Sequence, residues 1–321
     1  MTILVVGSVG LDDVQTPAGS RSRTLGGACT YFSTAASLYD RVGMVAVVGA
    51  DFPQQHVDFF KTRNIDLRGL QIVEGKTFFW AGRYGDDLND AETLDTQLNV
   101  FASFHPIIPD DLRSAEYVFL ANIDPDLQIE VLEQMRAPRL TALDSMNFWI
   151  TGKREALTRA IAMVDVVLFN ESEIKQFAQQ DNVLVAARQV LTMGPKALVI
   201  KRGEYGAMLV TQGPTLGESF FLTAAFPLDN VIDPTGAGDT FAAGFMGYIA
   251  KTSDLSVEGL RRAIVHGAIV ASFTVQDFSI DRLRTLTMEE IEARYCEFRL
   301  LTYFDPSHDD AACRRLGRVI K

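Results

Sequence analysis

Six short apolar runs, interleaved with longer helical patterns, restrict most strongly what this chain can fold into. Residues 3–6, 42–48, 117–121, 140–143, 164–169 and 197–200 are near-continuous blocks of Val, Ile, Leu, Ala or aromatic residues. A strand that is apolar at every position needs both faces of its sheet covered. Between the runs, residues 30–39, 53–63, 127–136, 154–163, 172–178 and 183–191 carry helical periodicity. Pro53 suits a first helical turn, where its missing N–H would have no partner anyway. Strand and helix in repetition predict an α/β fold with a mostly parallel central sheet flanked by helices.

Two stretches break the rhythm. Residues 12–25 are polar and contain Pro17 and Gly19, while residues 77–104 open on Phe78-Phe79-Trp80 and continue through Gly82, Gly85 and Asp86-Asp87. Alternating, aromatic-rich sequence predicts strands outside the central sheet. Both are read as insertions forming a small β lid on a single domain spanning residues 1–321. After Gly238 the pattern is helical: Phe241, Phe245 and Ile249 mark one helix, Ile264, Ala268 and Ala271 a second ending near Val275, and residues 286–301 a third. The tail from residue 305 carries no pattern.

Composition narrows the function classes. With 47% hydrophobic and 22% charged residues over 321 positions the chain is globular. Thirty basic residues against 41 acidic give a net charge of −11, a field that repels nucleic acid and anionic membranes. No run approaches the ~20 apolar residues of a membrane span. Cys29, Cys296 and Cys313 are scattered, which fits a reducing compartment, and the N-terminus lacks the basic segment of a signal peptide. A cytoplasmic protein with a small-molecule substrate is expected. His56, His105, His266 and His308 show no metal-ligand spacing, which argues against a metal hydrolase.

The stretch Asp233-Pro234-Thr235-Gly236-Ala237-Gly238-Asp239-Thr240-Phe241 carries the most chemistry. Two glycines at the opening of an amphipathic helix leave backbone N–H groups accessible at a positive helix end, which is an anion site. Asp239 stands where a carboxylate would take a proton from a hydroxyl attacking a phosphoryl group. The same residues are compatible with an ordinary glycine turn in which Asp239 compensates the helix dipole. Two other nucleotide signatures fail. Gly69 lies one residue too far from Gly75-Lys76-Thr77 for a phosphate loop of the GxxxxGK[ST] type, and Phe241 occupies the third glycine position of GxGxxG.

Here the chain resembles the ribokinase-like (PfkB) carbohydrate kinases, whose C-terminal signature is commonly written D-[TS]-T-G-A-G-D-x-F. Further landmarks follow in the family's order: Gly7-Ser8 with Asp12, Gly26-Gly27, Gly49-Ala50-Asp51, Asn170 with Glu173, and Gly203 with Gly206. The resemblance implies a ribokinase-like kinase using ATP and Mg²⁺. It makes Asp239 the catalytic base and Gly236, Ala237 and Gly238 the anion hole. Asp12, Gly26 and Gly27 would bind the acceptor. Asn170 and Glu173 would organise Mg²⁺ and phosphates through water, although they also read as a helix N-cap and its capping partner. Gly203 and Gly206, with Lys201 or Arg202 beside them, would approach the nucleotide. Asp233 and Thr235 match positions that bind a monovalent cation such as K⁺ in relatives, and equally a structural turn. His266 falls where relatives place the adenine, and otherwise reads as a half-buried helical histidine. At its ordinary pKa of about 3.9, lowered further by the helix terminus, Asp239 is expected to be a fully ionised, weak base.

The pattern departs in two places. Tyr31 stands where sugar kinases of this family usually carry an Asn. Asn147, after Asp144, is displaced by one residue from the family's D-x-N; either side chain could reach the acceptor or serve loop hydrogen bonding, and Tyr31 and Asn147 join the expected acceptor contacts. Phe78, Phe79, Trp80 and Tyr84 can stack on a sugar or a nucleobase, or fill the core of the lid. Arg83 is the cationic lid candidate for a phosphorylated substrate. The expected activity is phosphorylation of a hydroxyl of a sugar or sugar-like molecule. Nucleoside kinase activity is the alternative, and a non-catalytic ligand sensor is the second. Relatives often dimerise through their lids, and a homodimer of that kind is compatible with this sequence.

Overall fold

The computed structural model describes residues 3–213 and 220–303. The chain opens with β1 (Ile3–Val6), β2 (Gly10–Thr16), β3 (Gly19–Gly26) and α1 (Ala28–Ala36), followed by β4 (Val42–Gly49), α2 (Gln54–Thr62) and β5 (Ile65–Val73). Next come β6 (Phe78–Tyr84), β7 (Ala91–Gln97), β8 (Tyr117–Leu120), α3 (Pro125–Gln134) and β9 (Leu140–Asp144). The middle of the chain supplies α4 (Asn147–Gly152), α5 (Arg154–Ala162), β10 (Val166–Asn170), α6 (Glu171–Ala178), α7 (Val183–Leu191) and β11 (Ala197–Lys201). It ends with β12 (Ala207–Thr211), β13 (Phe220–Thr223), α8 (Ala237–Thr252), α9 (Val257–Thr274), α10 (Asp281–Thr285) and α11 (Met288–Thr302).

The large sheet runs β13-β12-β11-β10-β9-β8-β1-β4-β5. Its pairs are parallel except β11–β12 and β12–β13. All six expected strands lie in it, within two residues of their expected ends. Alternation along β1 shows why they are apolar throughout: Ile3 and Val5 enter the core beneath α1, α8 and α9, while Leu4 and Val6 enter the one beneath α3, α5, α6 and α7. Burying each such side chain contributes about 1.5–3 kcal/mol. The edge strands β5 and β13, and β12 beside the latter, were not expected. β5 mixes buried, half-buried and exposed residues, a pattern that an edge position permits.

The two irregular stretches do form strands outside this sheet. They make a second, four-stranded sheet in the order β3-β2-β6-β7. Asp12 is paired with Trp80 on β6 and with Thr24 on β3. Side chains alternate across a strand, so Asp12, Trp80, Gly82 and Tyr84 share one face. Leu11, Phe79 and Arg83 share the other. The carboxyl ends of β9, β10 and β11 place Asp144, Asn170 and Lys201 side by side, at the edge where open α/β sheets bind ligands.

Candidate active site

The loop entering α8 is a type II turn. The Ala237 N–H donates to the Pro234 carbonyl at 3.1 Å, and Gly236 sits at φ 77°, ψ 1°. That left-handed position favours glycine. Space demands it too, because a Cβ at 236 would lie 2.3 Å from the Tyr31 ring. This corrects one expectation: the amide of Ala237 is consumed by the turn. Among the described residues the amides of Gly238 and Asp239 have no backbone acceptor, and no side chain caps the helix. The amides left without a backbone acceptor in the first turn are therefore those of Gly238 and Asp239.

Asp239 occupies the first turn of α8 and remains partly exposed in the cleft. Its carboxyl is pushed up to about 7, by burial first and by the Asp144 carboxylate second, while Lys201 and its own amide pull it down. The expectation of a fully ionised Asp239 is corrected, because desolvation outweighs the helix terminus. The Lys201 ammonium pairs with Asp144 at 2.5 Å. It also lies 3.2 Å from where a Cβ on Gly238 would stand, so a cation faces the anion site. Burial works against that ammonium, yet Asp144 and Glu173 hold it above its usual value.

Asp12, on the second sheet, is buried with 3% exposure and packs against Gly26, where a Cβ would meet its Oδ2 at 1.9 Å. Burial, then Asp233 and Asp239, push its carboxyl up to about 8, and the Gly27 amide offsets this only in part. A raised carboxyl opposes the fold increasingly as pH climbs from its ordinary value toward its folded one, since the native state keeps a proton that the unfolded chain releases. Asp239 and Glu173 act in the same direction. The thermal midpoint is therefore expected to fall between about pH 4 and pH 8, and Asp12→Asn to remove part of that fall. Melting curves across this range check it, and an unchanged pH dependence in the variant would contradict the assignment.

Tyr31 is 2% exposed, with its ring against Gly236. Its ring supports the turn. Burial and the surrounding carboxylates Asp12, Asp233 and Asp239 hold its phenol well above the usual range. Asp233 accepts the Thr235 amide at 2.9 Å and the Ser279 amide at 3.0 Å, and the Thr235 hydroxyl lies 3.2 Å from that of Tyr84 on β6. These bonds tie the anion turn to the second sheet.

On the other flank, Asn170 and Glu173 form a reciprocal capping box for α6, each bond 2.7 Å. Glu173 is 7% exposed, and burial pushes it up to about 7 against the pull of Lys201. The described residues contain no cluster of three or more metal-ligating side chains. A divalent ion held mainly by phosphates and water needs none, and a buried carboxylate beside the anion site fits it. Gly203 and Gly206 have φ 54° and 88° in the β11–β12 turn. Asn89, beyond β6, reaches this turn and would lie 1.9 Å from a Cβ on Gly203. No sequence signal pointed to that contact.

Several expected residues are elsewhere. His266 is stacked between Tyr248 and Tyr295, at 4.3 and 4.9 Å between ring centroids, and lies 3.1 Å from the Tyr39 hydroxyl. Tyr248 is nine residues, about 13 Å of helix, beyond Asp239. His266 thus lines an aromatic cavity with Tyr39, Tyr248 and Tyr295. Asn147 is exposed at the start of α4, and Asp144 is the residue of that segment which reaches the cleft. Arg202 is paired with Glu171 at 2.6 Å. Arg83 is on the outer face, bonded to Gln15 at 3.1 Å. Cys313, His308 and the tail from residue 305 lie outside the described residues.

Comparison with known proteins matches residues 3–282 to the model of the pfkB family carbohydrate kinases. The chain is 31% identical over 252 residues to a cytidine kinase of Thermococcus kodakarensis, covering 77% of this chain and 87% of that protein. It is 26% identical over 257 residues to a nucleoside kinase of Methanothermobacter thermautotrophicus, covering 74% and 73%. Among solved structures, the Methanocaldococcus jannaschii nucleoside kinase superposes with a TM-score of 0.73 at 20% identity, over 92% of this chain and 99% of that one. The Burkholderia thailandensis nucleoside kinase with inosine gives 0.74 at 19%, over 95% and 100%.

Proposed function

Because the chain belongs to the pfkB family of carbohydrate kinases, phosphotransferases that act on alcohol groups, we propose that Asp239 deprotonates the acceptor hydroxyl for attack on the γ-phosphoryl of ATP. One observation carries this reading: a carboxylate, an ammonium and two amides without backbone acceptors converge on the first turn of α8. As the hydroxyl oxygen bonds to phosphorus and ADP leaves, its proton passes to Asp239. A carboxylate titrating near 7 suits that task better than one near 4, since base strength rises with pKa while about half stays ionised at neutral pH.

The Gly238 and Asp239 amides and Lys201 face the charge on the transferring group, where preorganised donors are most effective. Asp12 orients the acceptor. The second sheet acts as a lid that excludes water. A divalent metal accompanies ATP in this chemistry; we take it to be Mg²⁺, which neutralises phosphate charge when bound, with Glu173 holding its water shell. Asp233 and Thr235 are assigned to a monovalent cation beneath the turn, so replacing K⁺ by Na⁺ is expected to slow turnover. Equal rates in the two salts would remove that assignment.

Sugars and nucleosides are both acceptors to test, given the names of the relatives. ADP release with a panel of each, with and without Mg²⁺, is the decisive assay. Release that needs both acceptor and metal is expected, and none with any acceptor would favour a sensor. We place this chemistry in the cytoplasm. No helix among the described residues is long and apolar enough to cross a membrane. β7, exposed along its whole length at the edge of the second sheet, is the surface through which a lid-to-lid dimer would form.

A further inference from the structure

The indole of Trp80 lies over Gly82 on the cleft face of the second sheet, and we infer that it is the stacking platform for the planar base of a nucleoside acceptor. The inference rests on the kinase reading above and names its acceptor class. A Cβ at Gly82 would fall 2.1–2.9 Å from three atoms of the indole's six-membered ring, so only glycine lets the ring settle there. Trp80 Nε1 donates to Thr93 Oγ1 on β7 at 3.3 Å, which fixes the ring's rotation. The side chain is half-buried, so part of the indole stays open.

Its neighbours define the space it faces. Asp12 is its cross-strand partner on the same face. Tyr84, four residues on, reaches Thr235 of the anion turn. The other two aromatics of this segment are spent on packing: Phe79 joins the core beneath α1 and Phe78 lies against Phe101. Adjacent strands are about 4.8 Å apart, so an acceptor held by Asp12 meets the indole only if it extends one strand further toward β7. A ribose with an attached base has that reach, and its base offers the π-face that an indole rewards. Tyr31 presents a buried aromatic ring under Gly236, in place of the side-chain amide an Asn would offer a bare sugar.

The chain has two tryptophans, Trp80 and Trp149. In a Trp149→Phe background, cytidine and adenosine are expected to quench Trp80 fluorescence without ATP, and ribose is not. In ADP-release assays Trp80→Ala is expected to raise nucleoside KM by about tenfold to hundredfold, the range of base–aromatic stacking, with kcat within about threefold. Trp80→Phe should recover most of the loss, and Gly82→Ala, whose methyl displaces the ring, should reproduce it. Thermal melts confirm that each variant is folded. Absent quenching by both nucleosides, equal quenching by ribose, or an unchanged KM in folded Trp80→Ala would overturn the platform. Quenching by nucleosides without ADP formation would sustain it and overturn the kinase reading instead.

Discussion

Asp239→Asn is expected to lower kcat by about 10²–10⁴, the scale on which a positioned general base acts, while ATP binding measured by calorimetry stays intact. The variant keeps the shape of the side chain and leaves the Gly238 and Asp239 amides in place, so the loss falls on proton transfer alone. In the wild type, kcat should rise through about pH 7 as the carboxyl ionises, because burial and Asp144 have lifted it to that range. The variant should lose this limb of the profile. Turnover at the wild-type rate in Asp239→Asn would remove the residue from the mechanism.

Lys201→Met carries the second large effect, and it divides into two parts. The Lys201 and Asp144 side chains are 16% and 5% exposed and 2.5 Å apart. Removing one partner of a buried pair leaves the other charge uncompensated and costs about 3–5 kcal/mol. Denaturant midpoints would show that loss. Turnover should also fall, by about 10²–10³, if the ammonium stabilises charge on the transferring group as other preorganised donors do. The double variant Lys201→Met/Asp144→Leu separates the parts. Replacing both charges by apolar groups is expected to restore most of the stability without restoring kcat. Wild-type kcat in the single variant would refute the catalytic role, whatever its stability.

How far these residues could be found without coordinates differs by residue. The strands of the central sheet were legible because each is apolar along its length, a direct consequence of burial on both faces. β5 and β13 were not, because edge strands mix buried and exposed positions and share that pattern with loops; β12, buried throughout, was simply missed. Gly236 and Asp239 were legible through the spacing of small residues before a helix. Ala237 was misjudged because a turn's hydrogen bond depends on backbone torsions that spacing does not reveal. Spacing left both Asp144 and Asn147 able to reach the acceptor, whereas the direction of the β9 strand end delivers Asp144 to the cleft. The surroundings of His266 were not legible, because helical position gives a residue its face but not the tyrosines that enclose it.

From the sequence alone came the alternation that demands a parallel sheet, the glycines that demand an open turn, and the acid beside them. Those are local requirements, set by periodicity and by torsion angles. Folding in three dimensions decided the charge state of Asp239, the pairing of Lys201 with Asp144, and which aromatics of the second sheet face the cleft. Each depends on groups far apart in the chain. Desolvation and Coulomb interactions act through space, and no reading of neighbouring letters supplies those distances.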